Sequence, residues 1–162
     1  MKIYTDGSFN KKLSKNSTAY AAVIVTDETD SEYIVDIVYG VITDKNYVDM
    51  WNVGGEIWGV LAAIDYATHK YNPGNICIYH DYIGLSKWPS GEWKAKNPTT
   101  MAYTNFIRNT KHDRLVSFIH VAGHSNNLLN DTADEYANKG TETYLNSGKT
   151  STLITGVRIR KR

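Results

Sequence analysis

The sequence predicts an α/β protein built on a mixed five-stranded sheet. Three observations carry this. Between Lys2 and Ile42, three β-branched and aromatic runs are joined by short polar turns. From Gly54 the apolar spacing changes to that of a helix. After Pro73-Gly74, short apolar runs alternate with helical patterns, which is the signature of crossover connections and parallel pairing.

Lys2–Asp6 reads as the first strand, and the polar, basic stretch Asn10–Ser17 as a turn. Thr18–Thr26 is a β-rich second strand, closed by the acidic turn Asp27–Ser31. Glu32–Ile42 is a third strand, with Tyr33, Val35, Ile37 and Tyr39 on one face. Its other face mixes Ile34 and Val38 with Asp36, so partial cover is expected there too. Short turns make these three an antiparallel meander. Gly54–Lys70 places Ile57, Trp58, Val60, Leu61, Ile64 and Ala67 at helical intervals. Asn75–His80 is a short apolar strand, Ile83–Trp88 a short helix, and Trp88–Pro98 a loop. Thr99–Thr110 reads as a helix, Leu115–Ala122 as a fifth strand and Asn130–Tyr144 as the last helix. The remaining residues, ending Gly156-Val157-Arg158-Ile159-Arg160-Lys161-Arg162, form a C-terminal extension without an assigned role. The domain organisation expected is therefore one domain over residues 1–145 and an extension over 146–162.

A chain of 162 residues with 41% hydrophobic and 22% charged content is long enough for one sizeable core. Net charge is +1, so any surface for a polyanion has to be local. Cys77 is the only cysteine, which excludes an intrachain disulfide and fits a reducing compartment. No apolar run reaches membrane-spanning length, and the N-terminus lacks the apolar core of a signal peptide. A cytoplasmic monomer with no membrane partner is expected.

Four acids stand in distinctive settings. Asp6 ends the first strand and Asp81 follows the fourth; Glu56 and Asp134 lie on helical patterns. Carboxylates in such places are costly to bury unless something positive binds them. A pair of hard divalent cations meets that need and points to phosphodiester chemistry. Taken singly, each acid has a plain alternative: a turn residue for Asp6, an exposed helix position for Glu56, a helix cap for Asp81 and a solvated helix face for Asp134. Asp131 rivals Asp134 but suits a first-turn charge.

The motifs resemble type 1 ribonuclease H over about Met1 to Leu145. Thr5-Asp6-Gly7-Ser8 is similar to the family's opening T-D-G-S. Gly55-Glu56 with Val60-Leu61-Ala62-Ala63-Ile64 resembles its glutamate helix, and Ile78-Tyr79-His80-Asp81 its third acid. Gly123-His124-Ser125, continuing through Asn130 to Ala133-Asp134-Glu135-Tyr136-Ala137, resembles G-H-S…N-x-x-A-D-x-x-A, the most specific of these patterns. Trp88-Pro89-Ser90-Gly91-Glu92-Trp93-Lys94 resembles the W-x-x-G-x-W-K segment used near the DNA strand.

The resemblance implies helices on both sheet faces and a metal-dependent endonuclease that hydrolyses the RNA strand of RNA–DNA hybrids to 5′-phosphate and 3′-hydroxyl ends. Two Mg²⁺ ions would serve each site, with Mn²⁺ a possible substitute. Asp6 would bridge both ions, Glu56 and Asp81 hold one, and Asp134 the other. His124 would carry a proton or assist product release. Gly7, Ser8 and Asn52 are candidates for the RNA strand, and Trp88, Trp93, Lys94 and Lys96 for the DNA strand. His120 is expected to be structural, and His80 to point to the sheet face opposite Asp81.

Two departures stand out. Phe9-Asn10-Lys11-Lys12 replaces the glycine-rich turn after T-D-G-S. The polar residues before the glutamate are reduced to Asn52, between Trp51 and Val53. The alternatives are a non-catalytic hybrid-binding module on the same fold, which an incomplete acid set would favour, and another nuclease of the wider superfamily.

Overall fold

The computed structural model describes residues 1–13, 16–123 and 125–162. Its elements run β1 (Lys2–Ser8), β2 (Thr18–Glu28), β3 (Glu32–Ile42), α1 (Lys45–Val48), α2 (Asn52–Lys70), β4 (Asn75–His80), α3 (Gly84–Ser90), α4 (Pro98–Thr110), β5 (Leu115–His120), α5 (Leu128–Ser147) and β6 (Ser151–Arg160). The sheet has six strands in the order β5-β4-β1-β2-β3-β6, not the five expected. β1, β2 and β3 form the antiparallel meander, and β4 pairs parallel with both β1 and β5.

Period-two alternation along each strand builds two cores. On β1, Ile3 faces a cluster with Ile57, Val60 and Ile64 of α2, while its neighbour Tyr4 faces one with Leu129, Ala133 and Ala137 of α5. Helices thus cover both faces, as expected. α3 and α4 join the first cluster through Leu85, Tyr103 and Ile107.

The added strand is the C-terminal extension, paired antiparallel with β3. Ile154, Val157 and Ile159 pack against the α5-side core, while Leu153, Arg158 and Arg160 stay exposed. Charge on an outer edge strand is a normal device against pairing with other chains, and here it hides the strand's alternation in the sequence. The alternation also slips by one residue at a bulge opposite Val35–Ile37, where Gly156 takes φ +66°.

Asp36 ties this bulge to the rest of the protein. It is buried on β3 and accepts hydrogen bonds from Tyr66 Oη (2.7 Å), from Tyr71 Oη and from the Gly156 amide (3.1 Å). Lys70 Nζ lies 3.5 Å away. Burial pushes the carboxyl up, but these donors and the lysine charge outweigh it and hold its pKa below the usual 3.8. A depressed pKa contributes stability above the unfolded value that is lost as pH falls through the folded one. Asp36→Ala should cost about 2–4 kcal/mol near neutral pH by stranding its donors, and the gap from wild type should narrow below pH 3.8. Thermal melts across pH, with amide exchange at Val157, check both halves.

Candidate active site

The sheet order brings three carboxylates together. β1 and β4 are adjacent parallel strands, so Asp6 near the end of one and Asp81 just past the other emerge at the same sheet edge. The first turns of α2 lie across β1, and Gly7 makes this possible: a Cβ there would collide with the Glu56 amide and the Asn52 carbonyl. Gly55 is equally tight against the Ala19 carbonyl. Glu56 is thereby pressed onto Asp6. One carboxylate oxygen from each of Asp6, Glu56 and Asp81 lies within 4.8 Å of the other two.

Asp134 reaches the same place from α5. It lines, with those three acids, a cavity of about 260 Å³, and its contact with Asp6 helps to raise the Asp6 pKa. All four expected acids therefore share one cavity. Gly7 and Asn52 line it too. Ser8 sits one residue on, its Oγ 2.7 Å from Asn138 Oδ1.

Burial is uneven, and this sets the electrostatics. Asp6 is 5% exposed and Glu56 3% exposed; Asp81 is half-buried. Burial, reinforced by the Asp81 charge, pushes the Asp6 carboxyl up to about 7. Glu56 is raised well above its usual value by burial and then by the Asp6 charge. Glu56 Oε2 has no hydrogen-bond partner among the described residues. An acid pair held apart from water, with an oxygen left over, is a site built for positive charge. Oxygen-only donors suit Mg²⁺ or Mn²⁺ rather than zinc.

Histidines play supporting parts. His80 is buried against Phe118, and its Nδ1 lies 2.8 Å from the Tyr82 carbonyl, bracing the turn that carries Asp81. His120 Nε2 lies 2.9 Å from the Asp81 carbonyl. His124 lies outside the described residues.

Trp88 is 8% exposed and packs among Tyr82, Trp93 and Tyr103, so hydrophobic clustering accounts for its ring. Trp93 is 38% exposed, and with Lys94 and Arg108 it lines a second depression. Lys96 is exposed in the following loop. Tyr82 joins the two regions, lining the acid cavity while contacting both tryptophans.

The cavity also takes in Asn130 and Asp131. Asn130 is buried, with its Oδ1 unpartnered among the described residues; its position one helical turn before Asp134 was the available signal. Asp131 is the first-turn acid of α5 and lies 3.9 Å from Arg162.

A family match to RNase H spans residues 1–142. No curated protein sequence matches the chain. Among solved structures, RNase H1 from the archaeon Halobacterium salinarum superposes with a TM-score of 0.68 at 19% identity, over 87% of this chain and 96% of that one. The N-terminal RNase H domain of a Mycobacterium tuberculosis protein gives 0.67 at 21% identity, over 91% and 99%. LC11-RNase H1, from compost and solved in complex with an RNA/DNA hybrid, gives 0.68 at 20% identity, over 89% and 98%. At these identities the structures speak for the fold, and the family match, which contains all four acids, speaks for the lineage: the chain belongs to the ribonuclease H family and is an endoribonuclease.

Proposed function

We propose that the protein hydrolyses the RNA strand of RNA–DNA hybrids, leaving 5′-phosphate and 3′-hydroxyl ends, with two divalent cations held by Asp6, Glu56, Asp81 and Asp134. The observation that carries this reading is the buried Asp6–Glu56 pair facing Asp81 and Asp134 in one cavity. Bound cations supply Lewis-acid stabilisation for the charge that develops on the phosphoryl oxygens.

The chain's own residues do the rest. Asp6 would serve both ions, Glu56 and Asp81 would hold one, and Asp134 the other. Water oxygen bonds to phosphorus and gives up a proton, the bond from phosphorus to the 3′-oxygen breaks, and that oxygen takes up a proton. His124, outside the described residues, is assigned proton transfer from its Gly-His-Ser motif alone. Asn52 and the backbone at Gly7–Ser8 contact the RNA strand, where a 2′-hydroxyl both donates and accepts. Trp93, Lys94 and Lys96 face the DNA strand, with Trp88 packed behind Trp93.

The test is cleavage of an end-labelled hybrid beside single-stranded RNA, duplex RNA and duplex DNA, with Mg²⁺, Mn²⁺ or chelator. Cleavage confined to the hybrid's RNA strand and stopped by chelator is expected. Tight hybrid binding without cleavage in either ion would replace this reading with a binding module.

Cation affinity should depend on pH. A ligand whose pKa is raised to about 7 must lose its proton to bind. Mg²⁺ affinity should therefore rise between pH 6 and 8, with proton release. Titration calorimetry in two buffers of different ionisation enthalpy measures both.

A further inference from the structure

Five carboxylates line the acid cavity, those of Asp6, Glu56, Asp81, Asp131 and Asp134, and among the described residues no lysine, arginine or histidine lines it with them. Four of the five are assigned to cations, and Asp131 is not. Its place is explained by α5, where it is the acid of the first turn and favours the helix dipole. The consequence is a spare negative charge on the wall of a site that has to admit a phosphodiester.

The C-terminal extension meets this charge. Among the described residues, Arg162 is the one cation paired with an acid of the cavity, its Nη2 3.9 Å from Asp131 Oδ2. Nη1 of the same guanidinium donates to Asn126 Oδ1 at 3.0 Å. Asn126, at φ 63°, immediately precedes Asn127, whose side chain caps α5 by accepting from the Asn130 amide at 3.1 Å. One planar fork therefore spans the loop and the first turn of the helix.

Arg162 departs from a fixed point. Arg160 is in register with Glu32 on β3, and the Lys161 amide donates to the Ser31 carbonyl at 2.8 Å. Lys161 Nζ lies 2.9 Å from Glu28 and 4.8 Å from the centre of the Tyr33 ring. Stability does not account for the last pair. The Arg162 side chain is 58% exposed and that of Asp131 38%, and a pair so exposed contributes little to folding. Its charge, by contrast, acts on a phosphate across a Debye length of about 8 Å at physiological salt.

We propose that Arg162 is a positioning residue that acts through Asp131: it cancels the acid's charge and holds it to the wall, so that the phosphate entering the cavity meets a neutral pair there. The proposal rests on the hybrid reading given above. Two divalent cations balance the four carboxylates that hold them and leave Asp131 unbalanced. Arg162 supplies the missing positive charge, and does so from a strand at the far edge of the sheet. The C-terminal extension thereby becomes part of the active site.

Arg162→Gln should raise KM for the hybrid about three- to five-fold at low salt, with the melting temperature within about 2 °C of wild type. Adding Asp131→Asn to that variant should bring KM back to the wild-type value, because no charge is left to cancel. Arg162→Lys should keep most of the wild-type KM. The ratio of variant to wild-type KM should fall toward one by about 0.5 M salt, which a loss of packing would not produce. Unchanged KM in Arg162→Gln at low salt would overturn the proposal. A double variant as impaired as Arg162→Gln would overturn it too, since the arginine would then act on the substrate by itself. Either outcome leaves the hybrid reading intact. Cleavage of the hybrid by the wild type is measured first, and its absence would sink that reading and this role together.

Discussion

Asp6→Asn should abolish cleavage and, in chelator, make the protein more stable above pH 7. The two effects have one cause. Asp6 touches both Glu56 and Asp134 and is assigned to serve both cations. Its loss should exceed the roughly 10²–10³-fold cost of removing a single transition-state donor. Without cations, however, its charge is a liability. A pKa raised from 3.8 to about 7 means that the folded state binds the proton more tightly than the unfolded chain. The resulting stability is complete below 3.8 and is lost as pH rises through about 7. Asparagine carries no charge to lose, so the variant should gain up to about 4 kcal/mol at pH 8 and nothing at pH 4. Saturating Mg²⁺ should reverse the order, because only the wild type gains binding free energy. Melts of both proteins at two pH values, with and without Mg²⁺, decide it; a variant no more stable than wild type in chelator at pH 8 would contradict the strained acid pair.

Deleting residues 149–162 should be the most damaging change to the fold that leaves the cavity acids in place. The cut belongs after Gly148, since α5 continues to Ser147 and closes on that left-handed glycine. The deletion removes β6, uncovers the outer edge of β3, and takes Ile154, Val157 and Ile159 from the α5-side core. It also takes from Asp36 its backbone donor, the Gly156 amide. Three partly buried apolar side chains and a ten-residue ladder should cost about 3–6 kcal/mol. The bared β3 edge should drive self-association. Melting and light scattering measure the two effects; a monomer with the wild-type melting temperature would show that β6 contributes nothing.

Much of this was legible in the sequence because strands and helices advertise buried faces. β3 and β4 fall where alternation and apolar runs place them, between a turn and a turn. The four acids were legible from their local motifs, and the sheet order explains why residues so far apart in sequence converge. α2 begins two residues before its apolar pattern, at Asn52, because a strained turn rather than a capping side chain starts it. β6 was hidden because an edge strand buries half of what a central strand does and fills the other half with charge. The burial difference between Asp6 and Asp81 depends on how closely α2 approaches β1, a distance set by glycines whose role shows only in three dimensions. The turn at Trp51 was visible as a departure in sequence, but its geometry and the stacking of Trp51 on Phe9 were not.

The position of β6 at one edge of the sheet has a consequence for biogenesis. Asp6, Glu56, Asp81 and Asp134 all reside on segments translated before it. A nascent chain therefore carries the β3 edge, with Val35, Ile37 and Tyr39 along it, unpaired until β6 emerges. On a crowded polysome, neighbouring chains offer the same open edge at the same time. The interval between the emergence of β3 and that of β6 then governs how long that edge can find the wrong strand before its own arrives.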